Sequence, residues 1–254
     1  MLKIKVRLNF DPCLVALATI ILASLTAAAA TDYDEYSETY DPNSLVEVHL
    51  KADPNAAYVE KKTNWSWRFS SSYEAFSPDS YISPLDQASY KTIFGSNQGS
   101  ILTGSFGAQY NTKNGAIYLD GQYGAGSIAA GKGSADLLKI SKYGATIGFM
   151  LDALVKDPWA SPYIAGQVVS FNWLESAATG TKGGTTAITT GLIAGVSIHL
   201  NKIDQDAARD AYMSYGMKNT FLDIYGVQYN TSGNASDPDL QTEMNFGAGF
   251  HFEF

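Results

Sequence analysis

Cysteine is almost absent. Cys13 is the single one in 254 residues, and it sits in the first thirty, ahead of an apolar stretch. No disulfide, thiolate nucleophile or cysteine metal site is available beyond that point. Long apolar runs are also missing. After "CLVALATIILASLTAAAA" no segment approaches the ~18 consecutive apolar residues of a spanning helix. Basic residues are few, 17 Lys and Arg against 25 Asp and Glu. There are three histidines, which leaves little for general-base or metal chemistry.

The start of the chain reads as a secretory signal peptide over 1–30. Lys3, Lys5 and Arg7 precede the apolar run, and Ala28 and Ala30 fit a small-x-small cleavage site. The leader holds three of the bases and one acid, Asp11, which leaves 14 basic and 24 acidic groups in the remainder. Nucleic acid is excluded as a partner, because phosphate recognition needs clustered Lys and Arg. Residues 31–62 are acidic and tyrosine-rich with no apolar face, and are expected to be a largely disordered spacer.

From residue 63 the pattern has period 2. Trp65, Trp67, Phe69, Tyr73 and Ala75 alternate with Ser66, Arg68, Ser70, Ser72 and Glu74. Leu102, Phe106, Ala108 and Tyr110 oppose Thr103, Ser105, Gly107 and Gln109. Ile117, Leu119, Tyr123 and Ala125 oppose Tyr118, Asp120, Gln122 and Gly124. Tyr143 to Leu151 alternates with Lys142, Gly144, Thr146, Gly148, Met150 and Asp152. "SPYIAGQVVSFNW" is less regular, because Gln167 falls among Tyr163, Ala165, Val169, Phe171 and Trp173. Leu192 to Leu200 opposes Gly195, Ser197 and His199. In "TFLDIYGVQY" the charge of Asp223 argues that its face points inward, with Leu222 and Ile224 outward. The chain ends "MNFGAGFHFEF", with Phe246, Phe250, Phe252 and Phe254 on one face and His251 and Glu253 on the other.

Eight such strands of about ten residues are the pattern of a transmembrane β-barrel. The expected fold is all-β: an eight-stranded antiparallel transmembrane barrel over 63–254, preceded by the signal peptide and a short periplasmic extension. A soluble barrel also alternates, but its core is the apolar face. Here the second face is Gly, Ser, Thr, Gln and scattered charge, which suits a wet lumen. The links 77–99, 126–141, 174–186 and 230–240 read as long outer loops. "TKNG" and "VKDPWAS" read as short turns, so both termini are expected in the periplasm. The link 201–219 is long for that side, and Asp204 and Gly216 mark the start and stop of a short helix within it.

At these residues the chain resembles the small eight-stranded outer-membrane proteins of Gram-negative bacteria, the OmpA-barrel, OmpX and OmpW group. The resemblance covers 63–254. It implies that Gly249, Phe250, Phe252 and Phe254 form a terminal assembly signal read by the barrel-assembly machinery. Gly247 stands where that signal usually carries a polar residue. The implied location is the cell outer membrane, with outer-membrane lipid and lipopolysaccharide as surroundings.

The inward charges Arg68, Glu74, Asp120, Lys142, Asp152, His199, Asp223, His251 and Glu253 are expected to form a lumenal polar network, with Arg68 pairing Asp120 or Glu74. The row His199, Asp223 and His251 could be imagined as a metal site, but a hydrogen-bonded network is the simpler reading, and no cofactor or metal is assigned. The role expected is structural or in interaction at the cell surface. The alternative is a narrow pore or small-molecule transporter. A third alternative, a lipid A-modifying enzyme, lacks a histidine at the outer end, so no catalytic residues are assigned. An extracellular partner would meet the loop 78–98, with Tyr81, Ile82, Leu85, Tyr90, Ile93 and Phe94.

Overall fold

The computed structural model describes residues 57–130 and 136–254. The leader 1–30, residues 31–56 of the acidic segment and the tip of one link lie outside the described residues. Among the described residues nine strands form: β1 Trp65–Phe76, β2 Gly99–Asn111, β3 Ala116–Ala129, β4 Leu137–Met150, β5 Ala160–Ala177, β6 Gly180–Thr185, β7 Thr189–His199, β8 Asn219–Tyr229 and β9 Asn245–Glu253. Three α-helices accompany them there, α1 Tyr58–Lys61, α2 Tyr90–Phe94 and α3 Gln205–Tyr215, with a short 3-10 turn at Leu200–Lys202.

All pairings are antiparallel. β9 bonds back to β1, and β4 bonds to β5, so the sheet closes. β6 and β7 both pair with β5 and act as one strand in two pieces. Between them, residues 186–188 lie opposite Ser170 and Phe171, which is one residue too many on that side. This is a β-bulge, held where Phe171 N–H donates to Thr186 Oγ1 at 3.0 Å and Ser170 Oγ donates to Thr186 O at 2.6 Å. The barrel therefore has eight strands.

The register determines its girth. Asn64 accepts from Asn111 N–H. The lateral path continues from Asn111 through Ala116, Met150, Tyr163, Gly195, Tyr225 and Gly247 to Glu74. One circuit thus advances ten residues along β1, which for eight strands gives a tilt of about 40° and a wall about 8 Å from the axis. A strand of eleven residues at that tilt rises about 28 Å, close to the thickness of a bilayer's hydrocarbon core.

The polarity of the wall is inverted relative to a soluble protein. Leu102, Phe106, Leu119, Ile147, Ile164, Val168, Leu192, Ile224 and Phe250 face outward at 47% to 62% exposure. Most of the strands' charged groups, Arg68, Glu74, Asp120, Lys142, Glu175, Asp223 and Glu253 among them, face inward and are buried, whereas Lys139 and Lys182 near the upper end are exposed. So wide an apolar surface is compatible with lipid and not with water.

One end, called lower here, carries Ala57, Phe254 and the links 112–115, 151–159 and 200–218. The upper end carries 77–98, Ala130 and Asp136, 178–179 and 230–244. In 200–218, Asp204 caps α3 by accepting from Ala207 N–H at 2.9 Å, and Gly216 ends it in the left-handed region. On β8, Asp223 is inside and Ile224 outside.

Several expectations change. The supposed outer loop 174–186 is mostly strand: β5 runs on to Ala177 and returns as β6 through a two-residue turn. A ribbon above the membrane needs no lipid-facing side, so "GTKGGT" shows no alternation. The link expected over 126–141 is cut to 130–136 by longer strands. On β5 the aromatic face of Tyr163, Phe171 and Trp173 points inward with Gln167, while Ile164 and Val168 face lipid. Residues 57–62 are not part of a disordered spacer. They form α1 and lie against the lower mouth, with Val59 N–H donating to Lys156 O.

Candidate functional site in the barrel interior

The nine inward charges are all buried, at 0% to 6% exposure. They fall into three storeys. At the lower mouth, Lys62 Nζ and Tyr58 Oη both donate to Asp152 Oδ2, at 2.6 and 2.5 Å. Burial, with Glu253 and Asp152 close by, pushes the Tyr58 phenol well above its ordinary value, so it remains a proton donor. Glu253 accepts from the amides of Gln109 and Asn219 at 2.7 and 2.8 Å. His199 Nε2 shares a 2.8 Å hydrogen bond with Ser161 Oγ. The Phe221 ring meets His199 edge-on at 4.5 Å and stacks on His251 at 4.1 Å. The two histidines are thus parted by an aromatic ring.

In the middle storey, Asp223 accepts from Ser197 Oγ at 2.6 Å, and its other oxygen lies 2.7 Å from His251 Nδ1. Arg68 lies over the Tyr118 ring at 4.2 Å. Its Nε is 3.3 Å from Asp120 and its Nη2 is 3.8 Å from Asp223. Of the two partners expected for Arg68, the structure places Asp120 beside it. Glu74 belongs to the next storey, where Glu74, Lys142 and Tyr229 are mutually bonded at 2.7 Å. Between these groups is a cavity of about 70 Å³, room for a few waters. Arg68 Nη1, Asp120 Oδ1 and Thr103 Oγ1 are buried around it without a hydrogen-bond partner among the described residues.

Above Tyr229 the interior becomes apolar. Phe76, Phe171 and Tyr229 pack ring on ring at 5.2 to 6.0 Å. Ile101, Ile128, Leu138, Ile140 and Trp173 continue this core. The loop 77–98 turns into it: Tyr81, Tyr90 and Phe94 are buried, and Tyr81 Oη donates to Glu175 at 3.0 Å. The aromatics expected to present an outer contact surface are therefore a stopper. Ile82 remains exposed.

No family model matches the chain, and no curated protein matches it either. Among solved structures it is similar to Neisserial surface protein A, at 13% identity and a TM-score of 0.45 over 76% of this chain and 98% of that one. It is similar to the N-terminal β-barrel domain of Pseudomonas aeruginosa OprF, at 13% identity and a TM-score of 0.42 over 76% and 98%. A third is Ail, the attachment invasion locus protein of Yersinia pestis, at 12% identity and a TM-score of 0.39 over 75% and 97%. The barrel stands on its own closed register and inverted polarity.

Sequence reasoning found nine charged members of the interior but missed Glu175, which it placed in an outer loop. It missed Tyr58 and Lys62, because the acidic segment carries no periodicity. It also missed the apolar upper half. The signal there was Gln167: a polar residue in step with Phe171 and Trp173 marks their shared face as lumenal.

Proposed function

We propose that this chain is an outer-membrane barrel that anchors a loop-bearing face at the cell surface and does not conduct. The observation that carries this reading is closure at both ends. Tyr58, Lys62 and Asp152 close the lower mouth, and Phe76, Tyr81, Phe171 and Tyr229 close the upper half. Ion pairs and a cavity of about 70 Å³ occupy the space between, in a lumen too narrow at eight strands to leave a channel beside them. Both termini are assigned to the periplasm, in keeping with two short lower links. The surface role falls to the ribbon of β5 and β6, to the loop 230–244 and to the exposed residues of 78–98, whose Tyr81, Tyr90 and Phe94 are turned inward. Ser197 bonds an aspartate and the Ser161–His199 pair is buried, so no catalytic role is assigned.

Purified protein in a planar bilayer should show no unitary channel events. Steady conductance from the unmodified chain would replace this reading with the pore. Surface labelling of a cysteine placed at Lys182 in intact cells tests the orientation, and a signal only after permeabilisation would reverse it.

A further inference from the structure

The lower mouth is built like a receptor site that the chain fills with its own residues. Tyr58 opens α1 and Lys62 caps its end four residues later, about one helical turn on, so both side chains reach the same side. Both reach one oxygen of Asp152, whose side chain is fully buried. The other oxygen, Asp152 Oδ1, is buried without a partner among the described residues. The Tyr58 ring lies edge-on to His199 at 4.6 Å and to Phe221 at 6.1 Å. A cleft of about 140 Å³ remains beside the seated segment, lined in part by Tyr58, His199, Lys202 and Asn219.

None of this is needed to close the β-ladder. Asp152 lies past the end of β4, and residues 57–62 precede β1. A carboxylate buried at the rim of a barrel is costly unless a cation and a donor meet it. Here both come from a segment outside the wall. Withdrawing that segment would leave an acidic, aromatic-lined socket.

We infer that the lower mouth is a peptide-binding socket for a helical turn carrying an aromatic phenol and, four residues later, a lysine, and that residues 57–62 occupy it in cis. A partner peptide of that chemistry competes with the tethered segment. A short tether holds its ligand at an effective concentration in the millimolar range, so for a peptide that alone binds with a Kd of about 0.1 mM, occupation in cis weakens binding in trans by on the order of 10-fold. The inference depends neither on conductance nor on which side of the membrane the mouth faces.

The test uses the full chain in detergent micelles and a fluorescent peptide of residues 56–63, AAYVEKKT. Tyr58→Ala/Lys62→Ala should bind the peptide, read by anisotropy, about 10-fold more tightly than the unmodified chain. Adding Asp152→Asn should abolish the gain. Equal binding by the double variant and the unmodified chain overturns the inference, as does binding indifferent to Asp152→Asn. A heat-dependent gel shift checks that each variant is folded. A second measurement needs no strap variant. In the unmodified chain, Lys62 should resist amine acylation relative to the exposed Lys156, and Asp152→Asn should remove that protection. Equal acylation of Lys62 and Lys156 in the unmodified chain overturns the proposal.

Discussion

Inward tyrosines lie across glycines of the neighbouring strand. Tyr118 pairs with Gly148 and Tyr225 with Gly247, and a Cβ on either glycine would run into the facing ring. Large rings thus lie flat along a narrow wall and leave the axis to Arg68 and its partners. This explains why Gly247 occupies a position where a polar residue was expected in the terminal motif: Tyr225 needs the space. Gly247→Val should lower stability by about 1–3 kcal/mol, the usual cost of overpacking. Gly166→Ala, whose new methyl would meet nothing within 4 Å, should leave it unchanged. Urea midpoints in detergent would compare the two, and equal midpoints would remove Tyr225 packing as the reason for Gly247.

At the scale of elements, β9 is the piece that closes the barrel. The residue that follows it, Phe254, completes the seam. Phe254 N–H donates to Trp67 O at 3.0 Å, and Trp67 N–H donates to Phe254 O at 3.2 Å. The terminal aromatic therefore has a ladder role as well as the proposed role, with Gly249, Phe250 and Phe252, in the assembly signal. Two variants separate these. Phe254→Ala keeps both backbone bonds and loses the ring, whereas deletion of Phe254 loses both. If the ring is the address, each should reduce the outer-membrane level of the protein several-fold on immunoblots of membrane fractions. If Phe254→Ala accumulates normally while the deletion fails, the backbone seam is what matters.

For the whole molecule, the barrel is held by a closed ladder and by a core at each end of its interior, polar below and apolar above. Closure means that no strand can fray without opening two seams. The folded protein should stay compact in cold detergent sample buffer and change gel mobility only after boiling. Identical mobility before and after heating would contradict the closed barrel.

The strands were legible in the sequence because a lipid-facing wall forces alternation, and one slipped residue would turn charge into hydrocarbon. Trp65 to Glu74 and Tyr143 to Asp152 show this plainly. The inward set, from Arg68 to Glu253, followed from the same rule. Partners did not follow: Glu74 meets Lys142 rather than Arg68 because the ten-residue shear sets which heights coincide, and that quantity exists only once the ring is closed. The upper plug was hidden for a related reason. Phe171 and Tyr229 are far in the chain from each other and from the stretch that carries Phe76, Tyr81, Tyr90 and Phe94, and apolar residues look alike whether they face lipid or a dry lumen. Residues 57–62 showed no pattern at all, since a segment that docks through two side chains needs no periodicity. Local alternation by itself determined the barrel and, on every strand but β5, its inside and outside; only the closed tertiary structure decided that both ends of the lumen are filled, because filling depends on which distant side chains arrive at the same height.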